Sequence, residues 1–229
     1  LLVPLWISAG GAFVIALLAL MFVKDPPRCA AEELDAGSEK PDLSRISPYL
    51  LIALGTFVAV SAIQQTMAFY IQDFTKSDAA ETARLAGIAF MVLAVATLLV
   101  QGGVVQVIKP PPTKMLAFGF PIAMAGIAIM AAAPYYWVLV TGFGAVGAGF
   151  GLVQPGISAI VSLATGSQAQ GNAAGYVQAA GAGGFIIGPL AGTLIYPLAA
   201  SYPLILALAC CGACYLLFLW SLRGQPAHA

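Results

Sequence analysis

Seven long apolar runs, separated by polar connections, make up most of the chain. Each run holds about 20 residues or more, the length that an α-helix needs to cross the ~30 Å hydrocarbon core of a bilayer. None alternates apolar and polar residues in the manner of a membrane β-strand, which is ~10 residues long. We therefore expect an all-α polytopic membrane protein with seven transmembrane helices. The runs cover residues 1–23, 48–72, 83–108, 114–133, 135–163, 172–197 and 202–221.

The composition agrees with a chain that faces lipid. Hydrophobic residues make up 61% of it and charged residues only 8%, whereas a soluble domain carries roughly 25% charged residues. The charged residues fall between the apolar runs or at their ends, so we expect no ionisable group in the membrane interior. Because the formal net charge is zero, nothing indicates a nucleic-acid partner.

Three of the four cysteines lie close together in the last apolar run, at positions 210, 211 and 214. That run offers no histidine or carboxylate, which disfavours a metal site, and we interpret these thiols as small packing residues. Neither a disulfide framework nor a cofactor is indicated.

Basic residues at the ends of the runs predict the orientation of the helices. When the runs alternate across the membrane, seven basic residues fall on the side of the long polar stretch at 24–47 and two fall opposite. Since cytoplasmic loops carry the excess of lysine and arginine, we expect that stretch and the carboxyl terminus to be cytoplasmic. The seven residues are Lys24, Arg28, Lys40, Arg45, Lys109, Lys114 and Arg223, and the other two are Lys76 and Arg84.

Glutamines are the main polar side chains inside the runs, at Gln64 and Gln65 in the second, Gln101 in the third, Gln154 in the fifth and Gln178 in the sixth. Polar groups in hydrocarbon are costly and indicate functional sites, although they also form hydrogen bonds between helices. For Gln64 and Gln65, near the middle of their run, we favour contact with a ligand. For Gln101, close to the end of its run, we favour a hydrogen bond between helices. For Gln154 and Gln178 both alternatives stay open.

The fifth and sixth runs are rich in glycine, which permits close contact between helices in a bilayer. Gly171 and Gly175 form a GxxxG pair, and Gly188, Pro189 and Gly192 follow in the same run. Such a helix persists in lipid because no water competes for its backbone, and the proline permits a bend. We interpret these residues as sites of helix packing and gating in a protein whose helices slide or rock.

The sequence resembles the major facilitator superfamily, and the likeness is strongest to its multidrug and tetracycline exporters, which are proton antiporters. The most specific segment is residues 147–196, GAGFGLVQPGISAIVSLATGSQAQGNAAGYVQAAGAGGFIIGPLAGTLIY, which is similar to the family's tenth helix, a short cytoplasmic loop and the eleventh helix with its Gly-Pro pair. Residues 96–109, ATLLVQGGVVQVIK, resemble the eighth helix and the start of the next loop. The aspartate of the family's Gly-x-x-x-Asp-Arg loop signature is absent from this second segment.

The resemblance covers the whole chain and implies its domain organisation. Residues 1–23 correspond to the last helix of an amino-terminal half, which starts here without a methionine and is therefore expected to be truncated. Residues 24–47 correspond to the central cytoplasmic loop, 48–221 to the carboxyl-terminal six-helix bundle and 222–229 to a cytoplasmic tail. The missing amino-terminal half of the same protein is then the expected partner of this bundle, in a cell inner membrane.

The resemblance also implies a secondary transporter rather than an enzyme, with proton-coupled efflux of a small amphipathic compound by alternating access. Because we expect no ionisable group inside the runs, the titrating carboxylate is expected in the missing half. The expected substrate-binding residues are Gln64, Gln65, Phe69, Gln154, Gln178 and Phe185, and the expected gating or packing residues are Gly171, Gly175, Gly188, Pro189 and Gly192.

Three alternatives differ from efflux. Uptake of a sugar or metabolite by the same fold would favour denser polar clusters than these scattered amides. A seven-helix photoreceptor needs a buried lysine for a retinal Schiff base, and no run has one in its interior. A membrane-embedded enzyme needs a nucleophile with a base, whereas Ser61 and Ser158 have no obvious base.

Overall fold

A computed structural model describes residues 3–22, 43–165 and 169–223. The described helices form two units, of which the first contains α1 (Val3–Phe22) and the second contains the rest. No strand occurs among the described residues, which confirms the all-α prediction. In chain order, the second unit contains α2 (Leu43–Thr75), α3 (Ala79–Leu99), a π-helical segment (Val100–Ile108), α4 (Pro112–Ala131), α5 (Tyr136–Ala164), α6 (Gln170–Ile195) and α7 (Tyr202–Arg223).

Helix length and hydropathy confirm a polytopic membrane protein. The second unit contains six continuous helical stretches that are each long and apolar enough to cross a bilayer, with α3 and the π-helical segment counted as one. The first predicted run contains α1, a helix of 20 residues. The loop predicted for 24–47 lies mostly outside the described residues, as do three of the basic residues used for orientation and the tail beyond Arg223.

The helix after the predicted loop starts earlier than the apolar pattern indicated. α2 begins at Leu43, so the last five residues assigned to the loop are helical. Pro48 lies inside this first part of α2 and has no backbone N–H to donate to the carbonyl of Ser44. The hydroxyl of Ser47 donates a hydrogen bond of 3.3 Å to that carbonyl instead. A polar helical start of this kind gives no hydrophobic signal, which explains the difference.

The helices also take up charged residues in their terminal turns. Asp73 lies in the last turn of α2, and Glu81 and Arg84 lie near the start of α3. Asp78 caps α3 by accepting a hydrogen bond of 2.8 Å from the backbone N–H of Glu81, whose carboxylate lies 3.2 Å from Arg84. These charged residues lie between the predicted apolar runs or at their ends, as expected, and the helices extend past the runs to include them. α2, for example, has 33 residues, more than a ~30 Å hydrocarbon core requires.

The third predicted run changes its winding before it ends. At Val100, α3 gives way to the π-helical segment, which stops at Lys109 in the left-handed conformation (φ 49°) before three prolines. In a π-helix the backbone hydrogen bonds join residues five apart, and such segments occur often at functional sites. The adjacent Gly102 and Gly103 weaken the preference for regular α-helix. The apolar pattern indicated only a continuous helix, so this change of winding is a finding of the structure.

The core of the second unit forms where α2 and α5 meet the surrounding helices. α2 packs against α3, α5, α6 and α7, and α5 packs against α2, α3, α4 and α6. The most extensive contact joins α4 to α5. There, a Cβ atom added at Gly126 would lie 2.7 Å from the carbonyl oxygen of Gly142, and one added at Gly149 would lie 2.6 Å from that of Gly119. Since Cβ atoms do not approach backbone so closely, this helix pair requires glycine.

A second glycine-lined contact joins α6 to α2. A Cβ atom added at Gly188 would lie 2.6 Å from the carbonyl oxygen of Val58, and one added at Gly192 would lie 3.2 Å from the Cα of Ala62. The hydroxyl of Ser61 lies 3.1 Å from the carbonyl oxygen of Gly184 and bonds to it across the contact. The small residues of α6 thus bring it close to α2.

Candidate functional site

An open-sided cavity of about 160 Å³ lies between α2, α3 with its π-helical segment, and α5. This volume is smaller than the ~300–1,000 Å³ typical of small-molecule sites. The lining residues are Val60, Ile63 and Gln64 from α2, Leu93 and Thr97 from α3, Gln101 from the π-helical segment, and Val146, Gly147, Phe150 and Gln154 from α5. The wall is therefore mainly apolar, with a few polar groups that belong to different helices.

Three amide side chains converge on this cavity, one from each of its sides: Gln64, Gln101 and Gln154. All three are partly buried. Within the described part of the chain, none of these amides hydrogen-bonds to another protein group. Each amide can donate two hydrogen bonds and accept others, and polar groups inside a protein are normally paired. The cavity therefore offers hydrogen-bonding groups that water or a ligand can use without breaking a protein hydrogen bond.

Thr97 and Gly147 allow α3 and α5 to approach each other closely at the cavity wall. The hydroxyl of Thr97 donates to the carbonyl oxygen of Leu93 in its own helix and to that of Gly147 in α5, each at 2.9 Å. A Cβ atom at Gly147 would lie 3.0 Å from the Cα of Leu93 and would collide with its carbonyl oxygen. Close approach of these helices keeps their amides on opposite sides of one small space.

Only some of the predicted binding residues meet in this cavity. Gln64 and Gln154 line it, whereas Gln65 and Gln178 are exposed and do not. Ser61 of α2 contacts α6, whereas Gln64, three residues later, turns toward α3 and α5. Ligand contact at Gln65 and Gln178 stays a prediction, and these two amides lie outside the one cavity described.

The two predicted aromatic residues lie on α2 and α6, away from the cavity lining. Phe69 packs against Tyr196 with ring centres 6.0 Å apart, and Phe185 packs against Phe57 with ring centres 5.3 Å apart. About half of each predicted residue's surface stays exposed, 53% for Phe69 and 48% for Phe185. The Phe185–Phe57 pair joins α6 to α2, and the Phe69–Tyr196 pair joins α2 to the residue that follows α6. A role in substrate binding stays a prediction for both.

The predicted packing glycines fall into two groups. Gly188 and Gly192 are buried against α2, with Pro189 between them inside α6. By contrast, a Cβ atom added at Gly171 or Gly175 would meet no atom within 4 Å among the described residues. The GxxxG pair thus forms no helix contact in the described structure, and gating by any of these residues stays a prediction.

The position of Gln101 near the end of its run favoured a hydrogen bond between helices, but the structure shows no such bond among the described residues. Its amide lines the cavity and has no hydrogen-bond partner among the described residues. A signal was present, because Thr97 and Gln101 are four residues apart and therefore share one side of a helix. That signal indicated a polar side of α3, but not that Phe150 and Gln154 of α5 would face it.

A separate polar contact fastens one end of α2 to α6. The hydroxyl of Tyr196, which follows α6, donates a hydrogen bond of 2.5 Å to the Oδ2 atom of Asp73. Neither residue lines the cavity. The carboxylate of Asp73 is therefore held at a helix end, in a hydrogen bond with a phenol.

No curated protein sequence matches the chain in a sequence search. The family model described as Major Facilitator Superfamily matches residues 2–189, from the start of the chain into α6. The match spans most of the chain and includes every residue that lines the cavity. The chain therefore belongs to the major facilitator superfamily, a family of secondary transporters rather than enzymes.

Proposed function

We propose that this transporter exports a small amphipathic compound and that the compound binds in the cavity between α2, α3 and α5. The observation that carries this proposal is the set of amides at Gln64, Gln101 and Gln154, which face an apolar cavity and have no hydrogen-bond partner among the described residues. A compound with an apolar body and a few hydrogen-bonding groups would match such a wall. Dense polar clusters, which a sugar would need, are absent from the lining residues.

We further infer the alternating-access mechanism of multidrug and tetracycline exporters. The bundle formed by α2–α7 would rock against an amino-terminal half of the same protein, with the substrate held near the middle of the membrane. The membrane would be the cell inner membrane, with the loop at 24–47 and the carboxyl terminus cytoplasmic, as the excess of basic residues on that side supports.

Proton antiport is part of this proposal. Proton coupling requires a group that titrates, and the described residues that line the cavity include no carboxylate, histidine or lysine. The coupling carboxylate would therefore lie outside the cavity lining, in the amino-terminal half.

Transport in inside-out vesicles tests the direction and the coupling. Vesicles that contain the full-length protein should accumulate dansyl ethanolamide, an uncharged amphipathic fluorophore, when a proton gradient is imposed. A protonophore should abolish the accumulation. Accumulation in right-side-out vesicles alone would instead establish uptake, and accumulation that ignores the protonophore would exclude proton antiport.

Substitution of the amides tests the site. Gln64→Leu and Gln154→Leu should each lower the initial rate roughly 2- to 10-fold, since each loses one hydrogen bond to the substrate, worth ~0.5–1.5 kcal/mol. Gln106→Leu is the matched control, because Gln106 is exposed and does not line the cavity. Equal rates for all three variants, at equal amounts of protein in the membrane, would show that the substrate does not bind to these amides during transport.

A further inference from the structure

The polar part of the cavity consists of uncharged groups alone. Among the described lining residues these groups are the amides of Gln64, Gln101 and Gln154 and the hydroxyl of Thr97. The remaining wall is apolar apart from the backbone at Gly147. A cation or an anion that enters such a site loses hydration and meets no opposite charge in return. An uncharged polar group loses much less hydration and can regain its hydrogen bonds from the amides.

We propose that this cavity selects the uncharged form of an amphipathic compound, and that its three amides hold a hydroxyl, carbonyl or amide group of that compound. This selectivity for charge rests on the proposed function, because it assigns a substrate class to the same cavity. The three amides come from three different helical elements, so a bound polar group would be approached from more than one direction. Amides both donate and accept, which suits groups that do the same.

Gln101 is the best position for a test of this selectivity. It lies at the start of the π-helical segment, one residue after the winding changes, and its amide lines the cavity. Gln106 lies in the same segment and is exposed outside the cavity. A carboxylate introduced at either position adds the same charge to the same segment, but only the one at Gln101 would face a bound compound.

Three dansyl probes that share one fluorophore would measure the selectivity. Dansyl ethanolamide is neutral, dansylamidoethyl trimethylammonium is a cation, and dansylglycine is an anion. The full-length protein in lipid nanodiscs should bind the neutral probe about tenfold more tightly than either ion, since only the ions lose hydration without compensation. Binding is followed by the change in dansyl emission, with correction for partition into empty nanodiscs.

Substitutions at Gln101 and Gln106 then test whether the uncharged amides cause this selectivity. Gln101→Glu should increase the affinity for the cation about tenfold and lower that for the anion, because its carboxylate adds a negative charge that faces the bound compound. Gln106→Glu should leave the ratio of the affinities unchanged. Gln101→Leu should weaken binding of the neutral probe and leave the two ions as weakly bound as before.

The outcomes separate this inference from the proposed function. If the unmodified protein binds the cation as tightly as the neutral probe, the inference is wrong, although a transport site is still demonstrated. The same conclusion follows if Gln101→Glu changes the ratio no more than Gln106→Glu does. If none of the three probes binds to the unmodified protein and vesicles accumulate none of them, the proposed function itself fails.

Discussion

The contact between α6 and α2 leads to a prediction at two glycines of one helix. Gly188 faces α2, where an added Cβ atom would lie 2.6 Å from the carbonyl oxygen of Val58 and 3.1 Å from the backbone nitrogen of Ala62. Neither atom belongs to a side chain that can rotate away. Since contacts between carbon and its neighbours are optimal at about 3.5 Å or more, Gly188→Ala must push the two helices apart by roughly 1 Å.

Gly175→Ala supplies the matched comparison. An added Cβ atom at Gly175 would meet no atom within 4 Å among the described residues. Both substitutions raise the helix propensity of α6 by the same amount, about 1 kcal/mol, so this term cancels when the variants are compared. Overpacking of a close contact costs about 1–3 kcal/mol. We therefore expect Gly188→Ala to be less stable than Gly175→Ala by about 1–3 kcal/mol.

Reversible unfolding in mixed micelles, driven by increasing amounts of a denaturing detergent, measures this difference. The free energy of unfolding should fall in the order Gly175→Ala, unmodified protein, Gly188→Ala if overpacking exceeds the gain in helix propensity. Equal free energies of unfolding for the two variants would contradict the described contact between α2 and α6. A lower stability of Gly175→Ala than of Gly188→Ala would refute the reasoning altogether, because it would place the packed side of α6 at the GxxxG pair.

Two further predictions concern the helix ends. Tyr136→Phe removes the hydrogen bond of 2.7 Å that the tyrosine hydroxyl donates to the carbonyl oxygen of Leu85. We expect this loss to lower the free energy of unfolding by about 0.6 kcal/mol and at most ~2 kcal/mol. Tyr135→Phe, at the exposed neighbour, should change the free energy of unfolding little. Lys76 lies at the turn after α2, and Lys109 lies at the end of the π-helical segment. Because these positions end successive membrane crossings, the two lysines should face opposite sides of the membrane. An impermeant amine reagent applied to intact cells should therefore modify Lys76 and spare Lys109. Modification of both from the same side would contradict the alternating topology.

The sequence alone determined that the chain consists of membrane-spanning helices, and also the approximate ends of the helices from α2 to α7. The reason is local: the bilayer demands about 20 apolar residues for each crossing, and every backbone polar group in lipid must be satisfied within its own helix. Both conditions are visible in one stretch of sequence at a time. The start of α2 at Leu43 was missed for the same reason, since its first residues are polar and helical.

Which helices meet, and therefore which glutamines share a site, depends on how the helices pack in three dimensions. Gln64 and Gln65 are equivalent in sequence, but α2 turns one toward α3 and α5 and leaves the other exposed. Gln101 lines the same cavity as Gln154 because Gly147 lets α5 approach α3 closely. The spacing of polar and small residues defines the sides of a single helix, but contact between two helices depends on how both surfaces fit together, which no single stretch of sequence records.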